Sequence, residues 1–123
     1  MHGIKLAIVG SRSFNDYDDF RRNVDEIIFE GRVVEIDEII SGGAIGADSL
    51  AERYAKEYKF KFTKILPDWE SWGRQAGFRR NSEIVDQCDG LIAFWDGKSR
   101  GTKWSIDRAK RKNKLIRIVR TYA

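Results

Sequence analysis

Four glycine-containing loops carry the residues of this chain that could do chemistry. The first, residues 10–14, reads GSRSF and places Arg12, a bidentate donor to phosphate or carboxylate, after a glycine that permits a tight turn. The second, residues 41–48, reads SGGAIGAD, and its glycines would let backbone N–H groups approach an anion closely. A helix beginning after this loop would add its partial positive charge. These two loops predict an anion-binding site.

The third and fourth loops add aromatic, arginine and hydroxyl side chains. Residues 67–81 read PDWESWGRQAGFRRN and combine flat aromatic surfaces with guanidinium groups, so they could stack a nucleobase. Residues 95–102 read WDGKSRGT, and Thr102 stands where it would cap a helix or bind a phosphate oxygen. The candidate ligand-binding residues of the four loops are Gly10, Ser11, Arg12, Ser41, Gly42, Gly43, Ala44, Gly46, Ala47, Asp48, Asp68, Trp69, Arg80, Asn81, Trp95, Asp96, Gly97, Ser99, Gly101 and Thr102.

Each loop also has a structural interpretation. The glycines of residues 41–48 could serve tight strand-to-helix packing, and Asp48 could either cap the following helix or bind a ribose hydroxyl. Trp69 and Trp72 could equally be packing anchors of the core. Neither glycine loop is a standard phosphate motif, because the spacing differs from G-x-G-x-x-G and no Lys-Ser/Thr pair completes a P-loop. The pattern therefore disfavours kinase and NTPase activity.

The loops lie at the ends of apolar runs, rich in branched residues, that predict five β-strands. These runs are residues 4–9, 36–40, 60–66, 91–95 and 115–119. Segments with helical spacing alternate with them, which predicts parallel strands joined by right-handed crossovers. We therefore expect an α/β fold, a single Rossmann-like three-layer domain over residues 1–123 with a mostly parallel five-stranded sheet. Such sheets bind ligands outside the carboxyl ends of the strands, where the four loops converge.

One long connection, residues 67–77, lacks a clear period. It contains the only proline of the chain, Pro67. Long connections of this kind are uncommon in compact domains unless they serve a function. We therefore predict that this stretch is a lid or side wall of the site.

Composition narrows the classes of function. The chain of 123 residues can bury one ordinary core and is too short for two. A single cysteine, Cys88, and a single histidine, His2, argue against intramolecular disulfides, cysteine metal clusters, catalytic triads and zinc chemistry, so we expect no metal and no cofactor. The apolar runs are only strand-sized, and no signal-peptide pattern opens the sequence. These features predict a cytoplasmic protein without a membrane span.

The formal charge of +4 is unevenly distributed along the chain. Acidic residues crowd the first third, whereas residues 98–120 are rich in lysine and arginine and contain almost no acid. Such a basic region could attract phosphates or nucleic acid. It could equally be the solvated face of a helix.

At these four loops the chain resembles the SLOG superfamily, and most closely its YspA-like branch. This superfamily groups the DNA-processing protein A fold with the Lonely Guy phosphoribohydrolases. The resemblance rests on the four loop sequences quoted above and covers essentially the whole chain. It implies a Rossmann-like domain that binds nucleotides or related ligands, often as a homodimer.

The resemblance to the Lonely Guy enzymes has a gap at a residue that is central to their chemistry. These enzymes cleave the base from a nucleoside monophosphate with an arginine before the fourth strand and a glutamate after a Gly-Thr pair. Arg80 resembles that arginine. The Gly-Thr pair at residues 101–102 is followed by Lys-Trp-Ser at residues 103–105, and the nearest carboxylate is Asp107. The resemblance therefore implies the fold more strongly than the reaction.

The leading hypothesis is a binding module for a nucleotide-derived small molecule, working as a sensor or as a sequestering protein. The ligand phosphate would lie on residues 41–47 and on the Gly-Thr pair at residues 101–102. Arg12 and Arg80 would close around it, so that each alanine variant would lose about 1.5 to 3 kcal/mol of binding. From the glycine spacing we also predict that Gly43→Val abolishes binding and leaves the fold intact.

Two other functions follow from the same residues. A nucleotide N-glycoside or phosphoribosyl hydrolase could use Asp48, Asp68 or Glu83 to stabilise an oxocarbenium-like ribose or to activate water. A single-stranded nucleic-acid binder of the DNA-processing protein A type could use the basic last third and Trp104. The acidic first third argues against a continuous binding track for a strand.

Overall fold

A computed structural model of the chain describes residues 3–30 and 35–122, so His2 lies outside the described residues. Strands and helices alternate along them. The strands are β1 (Ile4–Gly10), β2 (Ile36–Ser41), β3 (Lys61–Lys64), β4 (Gly90–Trp95) and β5 (Leu115–Arg120). The helices are α1 (Tyr17–Asp25), α2 (Ala47–Glu57), α3 (Trp69–Trp72), α4 (Ala76–Gln87) and α5 (Arg100–Arg111).

The five strands form one sheet in the order β3-β2-β1-β4-β5. All four pairings are parallel, with Val9 of β1 opposite Ala93 of β4 in the centre of the sheet. The predicted α/β fold with a parallel five-stranded sheet is therefore confirmed. The chain moves outward from β1 to β3 on one side and from β4 to β5 on the other. A crevice consequently opens between the carboxyl ends of β1 and β4, where such sheets bind ligands.

The helices cover both faces of the sheet, because the buried strands are apolar on both sides. On one face Ile8 and Phe94 pack against Phe20 of α1 and Tyr54 of α2. On the other face the alternate strand residues, such as Val9 and Ala93, pack against Ile84 of α4 and Ile106 of α5 in the second cluster. The two clusters make the three layers that the sequence predicts, and they hold the carboxyl edge of the sheet in place.

The connection at residues 67–77, predicted as a lid or side wall of the site, contains short helical elements that the sequence pattern does not show. Asp68 caps α3 by accepting a hydrogen bond from the backbone N–H of Ser71 at 3.1 Å. Gly73, at φ +52°, ends this helix, and a 3-10 turn over Gly73–Gln75 leads into α4. Elements of three or four residues are too short to show a helical period, which explains why the sequence pattern misses them.

Strand β3 is also shorter than the apolar run at residues 60–66 predicts. The backbone N–H of Phe60 donates to Ala55 and so closes the end of α2. The ladder with β2 then covers only Lys61–Lys64.

Candidate functional site

A cleft of about 500 Å³ opens at the carboxyl ends of β1 and β4. Its volume lies within the range of known ligand pockets. The walls come from the loop after each of these strands, from the loop before α2, from α3 and from the first turns of α4 and α5. Predicted ligand-binding residues that line it are Gly10, Arg12, Ala44, Asp48, Trp69, Arg80, Asn81, Asp96, Ser99, Gly101 and Thr102.

Arg80 lies in the floor of the cleft and joins α4 to the loop after β2. Its Nη1 donates to the carbonyl oxygen of Gly42 at 2.6 Å, and its Nε donates to Oδ1 of Asn81 at 2.8 Å. The residue is 9% exposed. Burial lowers the pKa of Arg80, while the charge of Asp48 opposes this shift. Part of the Arg80 guanidinium is therefore committed to holding the loop, and the rest faces the cleft.

Asp48 lies beside Arg80 in the first turn of α2 and is 6% exposed. Its Oδ2 accepts a hydrogen bond from the backbone N–H of Ala44 at 3.2 Å. Burial raises the pKa of Asp48, and the hydrogen bond from Ala44 and the charge of Arg80 oppose this. Asp48 thus shapes the loop and also presents a carboxylate to the cleft. In the described part of the chain, no group of three or more His, Cys, Asp or Glu side chains could hold a metal ion.

Three further arginines line the cleft, namely Arg12, Arg74 and Arg100. All three are exposed. Within residues 3–30 and 35–122, no hydrogen bond or ion pair to a protein acceptor holds any of their guanidinium groups. Positive charge therefore faces the open side of the cleft, where four arginines and the two aspartates Asp48 and Asp96 form the charged lining, and this excess of positive charge favours an anionic ligand.

The first turn of α5 lies in the wall of the same cleft. This helix begins after Ser99, whose side chain makes no capping hydrogen bond. Gly101 and Thr102 follow and both line the cleft. Helix α4 likewise begins without a side-chain cap, whereas the first N–H of α2, that of Ala47, donates to the carbonyl oxygen of Ser11. Uncapped N–H groups and the positive end of the helix dipole together attract anions.

The loop at residues 96–99 is held in a fixed shape by its own side chains. Oδ1 of Asp96 accepts from the backbone N–H groups of Lys98 and Ser99, each at 2.8 Å, and these bonds lower the pKa of Asp96. The indole N–H of Trp95 donates to the carbonyl oxygen of Ser99 at 3.1 Å. Oγ of Ser11 accepts from the backbone N–H of Asp96 at 3.1 Å. Trp95 and Ser11 therefore hold this loop in place without lining the cleft themselves.

The glycines of residues 41–48 contact protein atoms. At Gly46, with φ +81°, a Cβ atom would lie 2.4 Å from the carbonyl oxygen of Ser11. At Gly42 it would lie 2.7 Å from Nη1 of Arg80. Oγ of Ser41 donates to the carbonyl oxygen of Ile8 at 2.6 Å. The packing interpretation therefore accounts for this loop, of which only Ala44 and Asp48 line the cleft.

The other predicted residues lie below or beside the cleft. Asp68 caps α3, and Gly97, at φ +83°, lies against the guanidinium of Arg120. Ala47 is buried at the start of α2, where its N–H donates to Ser11. The predicted residues that do not line the cleft are Ser11, Ser41, Gly42, Gly43, Gly46, Ala47, Asp68, Trp95 and Gly97.

Several cleft residues are absent from the set predicted from the sequence. Most of them belong to the quoted motifs, and their arginine and aromatic side chains were a usable signal. Ser105 follows Gly101 by one helical turn, and its Oγ donates to the Gly101 carbonyl at 3.2 Å. Helical spacing from the Gly-Thr pair could have found it. The additional cleft residues are Val9, Ser13, Arg74, Gly77, Phe78, Arg100 and Ser105.

Aromatic side chains surround the open side of the cleft. Trp69 and Phe78 line it, with exposed fractions of 57% and 39%. The ring of Phe78 contacts that of Trp104 at a centroid distance of 5.0 Å. Trp72 carries the guanidinium of Arg79 over its face at 3.4 Å. The interpretation of Trp69 and Trp72 as packing anchors of the core is therefore wrong, because both indoles are exposed.

The position at which Lonely Guy enzymes carry an acid is occupied by uncharged side chains. Ser105 lines the cleft. Trp104 donates its indole N–H to Oγ of Ser82 at 2.9 Å, outside the cleft. Asp107 is exposed at the side chain and pairs with Nζ of Lys103 at 2.8 Å. The nearest carboxylate along α5 therefore does not reach the ligand space.

Comparison with known proteins agrees with this geometry. Residues 4–72, more than half of the chain, match the YAcAr family, described as the YspA, cpYpsA-related SLOG family. The chain belongs to this family. The Gene 61 protein of Mycobacterium phage D29 is similar to this YAcAr chain, with 35% sequence identity over 79 residues. That match covers 59% of this chain and 63% of the phage protein, less than two thirds of its length.

Solved structures share the fold of this YAcAr chain. DNA processing protein A from Streptococcus pneumoniae matches with a TM-score of 0.70 and 20% identity over 94% of this chain and 50% of its own. The same protein from Helicobacter pylori, described in its single-stranded DNA binding mode, matches with a TM-score of 0.70 and 20% identity over 94% and 64%. TM1055 gives a TM-score of 0.65 and 17% identity over 91% and 71%. Together with the family match, these likenesses confirm the SLOG assignment and the Rossmann-like fold.

Proposed function

We propose that this protein binds a nucleotide-derived small molecule in the cleft and serves as a sensor or sequestering module. The observation that carries this proposal is the set of three exposed arginines that have no hydrogen-bonding or ionic partner among residues 3–30 and 35–122 and that surround an uncapped helix start. An anion held there gains charge-assisted hydrogen bonds as well as the helix dipole. Aromatic faces at the same opening add a surface for a flat ring.

The cleft offers separate positions for the parts of a nucleotide. A phosphate fits the first turn of α5, where Gly101 and Thr102 line the same cleft as Arg12. A ribose hydroxyl fits Asp48, whose carboxylate is an acceptor in the floor. A base fits the exposed face of Trp69. Arg80 is expected to hold the floor in shape, so the closing charge comes from the exposed arginines.

We expect no efficient phosphoribohydrolase activity. A carboxylate near the Gly-Thr pair would stabilise positive charge on the ribose, and the hydroxyl of Ser105 cannot replace it. The purified protein is incubated with nucleoside monophosphates, and free base is followed by chromatography. Rapid base release that is lost in Arg80→Ala would make the protein an enzyme of the N-glycoside hydrolase class.

The binding proposal is tested by native mass spectrometry of freshly purified protein and by calorimetry with AMP, GMP, CMP and UMP. A retained or titrated nucleotide is expected. Arg12→Ala should weaken binding by about 1.5 to 3 kcal/mol, the range of a charge-assisted hydrogen bond. Arg117→Ala is the matched control, because Arg117 is an exposed arginine of β5 away from the cleft. The proposal fails when no nucleotide of the panel is retained or gives a binding isotherm.

Single-stranded nucleic acid is the second candidate ligand. Trp72 with its stacked Arg79, and Trp104, provide exposed aromatic surface outside the cleft. Base stacking on such surfaces is a general mode of strand binding. One of the fold neighbours is a DNA processing protein A described as binding single-stranded DNA. A strand that neutralises many charges gives a steep log-log salt dependence, whereas a mononucleotide gives a shallow one.

Location and assembly remain predictions. The resemblance to SLOG proteins implies a homodimer, and we propose that the protein is cytoplasmic. Across the described ranges, no helix is both long enough and apolar enough to cross a membrane. Light scattering after size exclusion measures the mass in solution, and a monomer at all concentrations would contradict the dimer.

A further inference from the structure

We infer that Phe78 and Trp104 form a second base-binding position beside the cleft, so that the ligand carries at least two nucleobases. This inference rests on the proposed function, because the first nucleotide occupies the cleft. It adds a site outside the cleft, on the surface between α4 and α5.

The aromatic pair connects the inside of the cleft with the outer surface. Phe78 lines the cleft, and its ring meets that of Trp104, which stands outside it, at an interplanar angle of 54°. The two residues are 39% and 40% exposed. Two large rings that touch each other and remain this exposed offer a flat partner a ready stacking surface.

Consecutive residues of α4 fix the position of this pair relative to the cleft. Nδ2 of Asn81 donates to the carbonyl oxygen of Gly101 at 3.3 Å in the cleft wall. The next residue, Ser82, accepts the indole N–H of Trp104 at 2.9 Å. Gly101 and Trp104 are three residues apart on α5 and are therefore surface neighbours. The second position consequently begins directly beyond the wall at Gly101, and the Ser82 bond holds the indole in place.

A cation adjoins both positions, because Arg100 lines the cleft and is a surface neighbour of Trp104 four residues along α5. Arg100 lines the cleft, precedes Gly101 and has no hydrogen-bonding or ionic protein partner among the described residues. A phosphate that links two nucleosides would meet Arg100 when one base is in the cleft and the next lies on Trp104. A mononucleotide leaves the outer aromatic surface unused. The arrangement therefore favours a ligand of two or more linked nucleotides.

The test compares 5′-phosphorylated mono-, di- and tetranucleotides of adenine by calorimetry. One additional stacked base should tighten binding by about 5-fold or more. Trp104→Ala should remove this gain and leave the mononucleotide affinity unchanged. Ser82→Ala keeps the indole of Trp104 but removes its hydrogen bond, so we expect a smaller loss of dinucleotide affinity. Tyr122→Ala is the control, because Tyr122 is an exposed aromatic residue, at 88%, that does not line the cleft.

The outcomes separate this inference from the proposed function. Equal affinity for mono- and dinucleotide overturns the second position and leaves the proposed function standing. A dinucleotide preference that survives in a folded Trp104→Ala variant also overturns it. If no adenine probe binds, the inference is overturned, and if the other mononucleotides also fail, the proposed function fails with it. A dinucleotide preference that Trp104→Ala removes supports the second position. In that case, equal affinities for the di- and tetranucleotide indicate a two-base ligand, and tighter binding of the tetranucleotide indicates a longer strand.

Discussion

The loops at residues 41–48 and 95–102 each connect a strand to a helix at the carboxyl edge of the sheet, and both are rich in small residues. In the first loop the glycines lie close against protein atoms, and the carbonyl oxygen of Gly42 accepts a hydrogen bond from Arg80. In the second loop Ser99, Gly101 and Thr102 face the cleft. The first loop is mostly packed against protein atoms, whereas the second loop contributes more of the cleft lining. Similar composition therefore serves close packing in one place and lines an open cleft in the other.

The two loops also shift the pKa values of their aspartates in opposite directions. Burial raises the pKa of Asp48, whereas hydrogen bonds from backbone N–H groups lower the pKa of Asp96. The buried carboxylate carries the cost of leaving water, and the more accessible one gains from oriented donors. A charge in the first loop thus opposes folding unless it is compensated, and a charge in the second loop supports the local turn.

The largest expected effect comes from Gly46→Ala. The backbone at φ +81° and ψ −135° is accessible mainly to glycine, and a Cβ atom would lie 2.4 Å from a carbonyl oxygen. We expect a loss of about 3 kcal/mol in the free energy of unfolding, or failure to fold. Urea denaturation followed by circular dichroism measures this. A Gly46→Ala protein as stable as the wild type would remove the distinction between the two loops.

The next largest effects are expected from two arginine substitutions, which should differ in how much stability they cost. Arg80→Ala removes the charged hydrogen bond to Gly42 and should cost about 1.5 to 3 kcal/mol of stability in addition to any loss of binding. Arg100→Ala should change stability by less than about 0.5 kcal/mol, because Arg100 is exposed, while nucleotide binding weakens. Denaturation and calorimetry on both variants give the four values. Equal stability losses would indicate that Arg100 also has a structural partner.

The pH dependence of stability should differ in sign between Asp48 and Asp96. Because the pKa of Asp48 is raised on folding, its contribution is greatest below its ordinary pKa and is lost as the pH rises through the folded-state value. Because the pKa of Asp96 is lowered, its contribution is present above its ordinary pKa and is lost as the pH falls through the folded-state value. Relative to wild type, Asp48→Asn should therefore gain stability with rising pH and Asp96→Asn should lose it.

Urea denaturation of the wild type and both asparagine variants between about pH 3 and pH 7 measures these slopes, since both windows lie near ordinary carboxyl pKa values. Parallel curves for the two variants would contradict the opposite environments of the two carboxylates.

The smallest expected effect is that of Gly101→Ala on stability. Gly101 is helical, and a Cβ atom there would lie 3.2 Å from Nδ2 of Asn81, a side chain that can shift slightly. Helix propensity favours alanine, so the net change should stay within about 1 kcal/mol. Nucleotide affinity should nevertheless fall, because the methyl group would stand beside Asn81 in the lining of the cleft. A variant that binds normally would show that the ligand does not approach this backbone.

The fold could be predicted from the sequence almost completely, because buried parallel strands leave continuous apolar runs that alternate with helical spacing. The position of the site at the carboxyl ends of the strands follows from the same topology. Arg12, Asp48 and Gly101 could be assigned to it because each belongs to a loop of unusual composition. These features are local in the sequence.

Other parts of the site depend on contacts that no spacing reveals. Gly43 illustrates this, because its φ of +75° and the nearby side chain of Lys64 make a valine there strained. Gly43→Val should therefore destabilise the fold together with binding, contrary to the expectation from spacing alone. Arg74 belongs to the short 3-10 turn, which shows no helical period, and Phe78 lies in the first turn of α4, where the pattern does not show that its ring turns towards the cleft. The commitment of Arg80 to Gly42 became apparent only from the three-dimensional contacts.

Ser11 joins the two loops at a single residue. Its N–H donates to Phe94, its carbonyl accepts from Ala47, and its hydroxyl accepts from Asp96. Neither loop can shift without straining the other, which makes this side of the cleft stiff. Residues 68–75 on the opposite side are exposed throughout, so that wall is the one able to yield. We therefore expect that a bound ligand would dissociate by outward movement of this wall. Contacts of the ligand with Trp69 and Arg74 would then determine how long it stays bound.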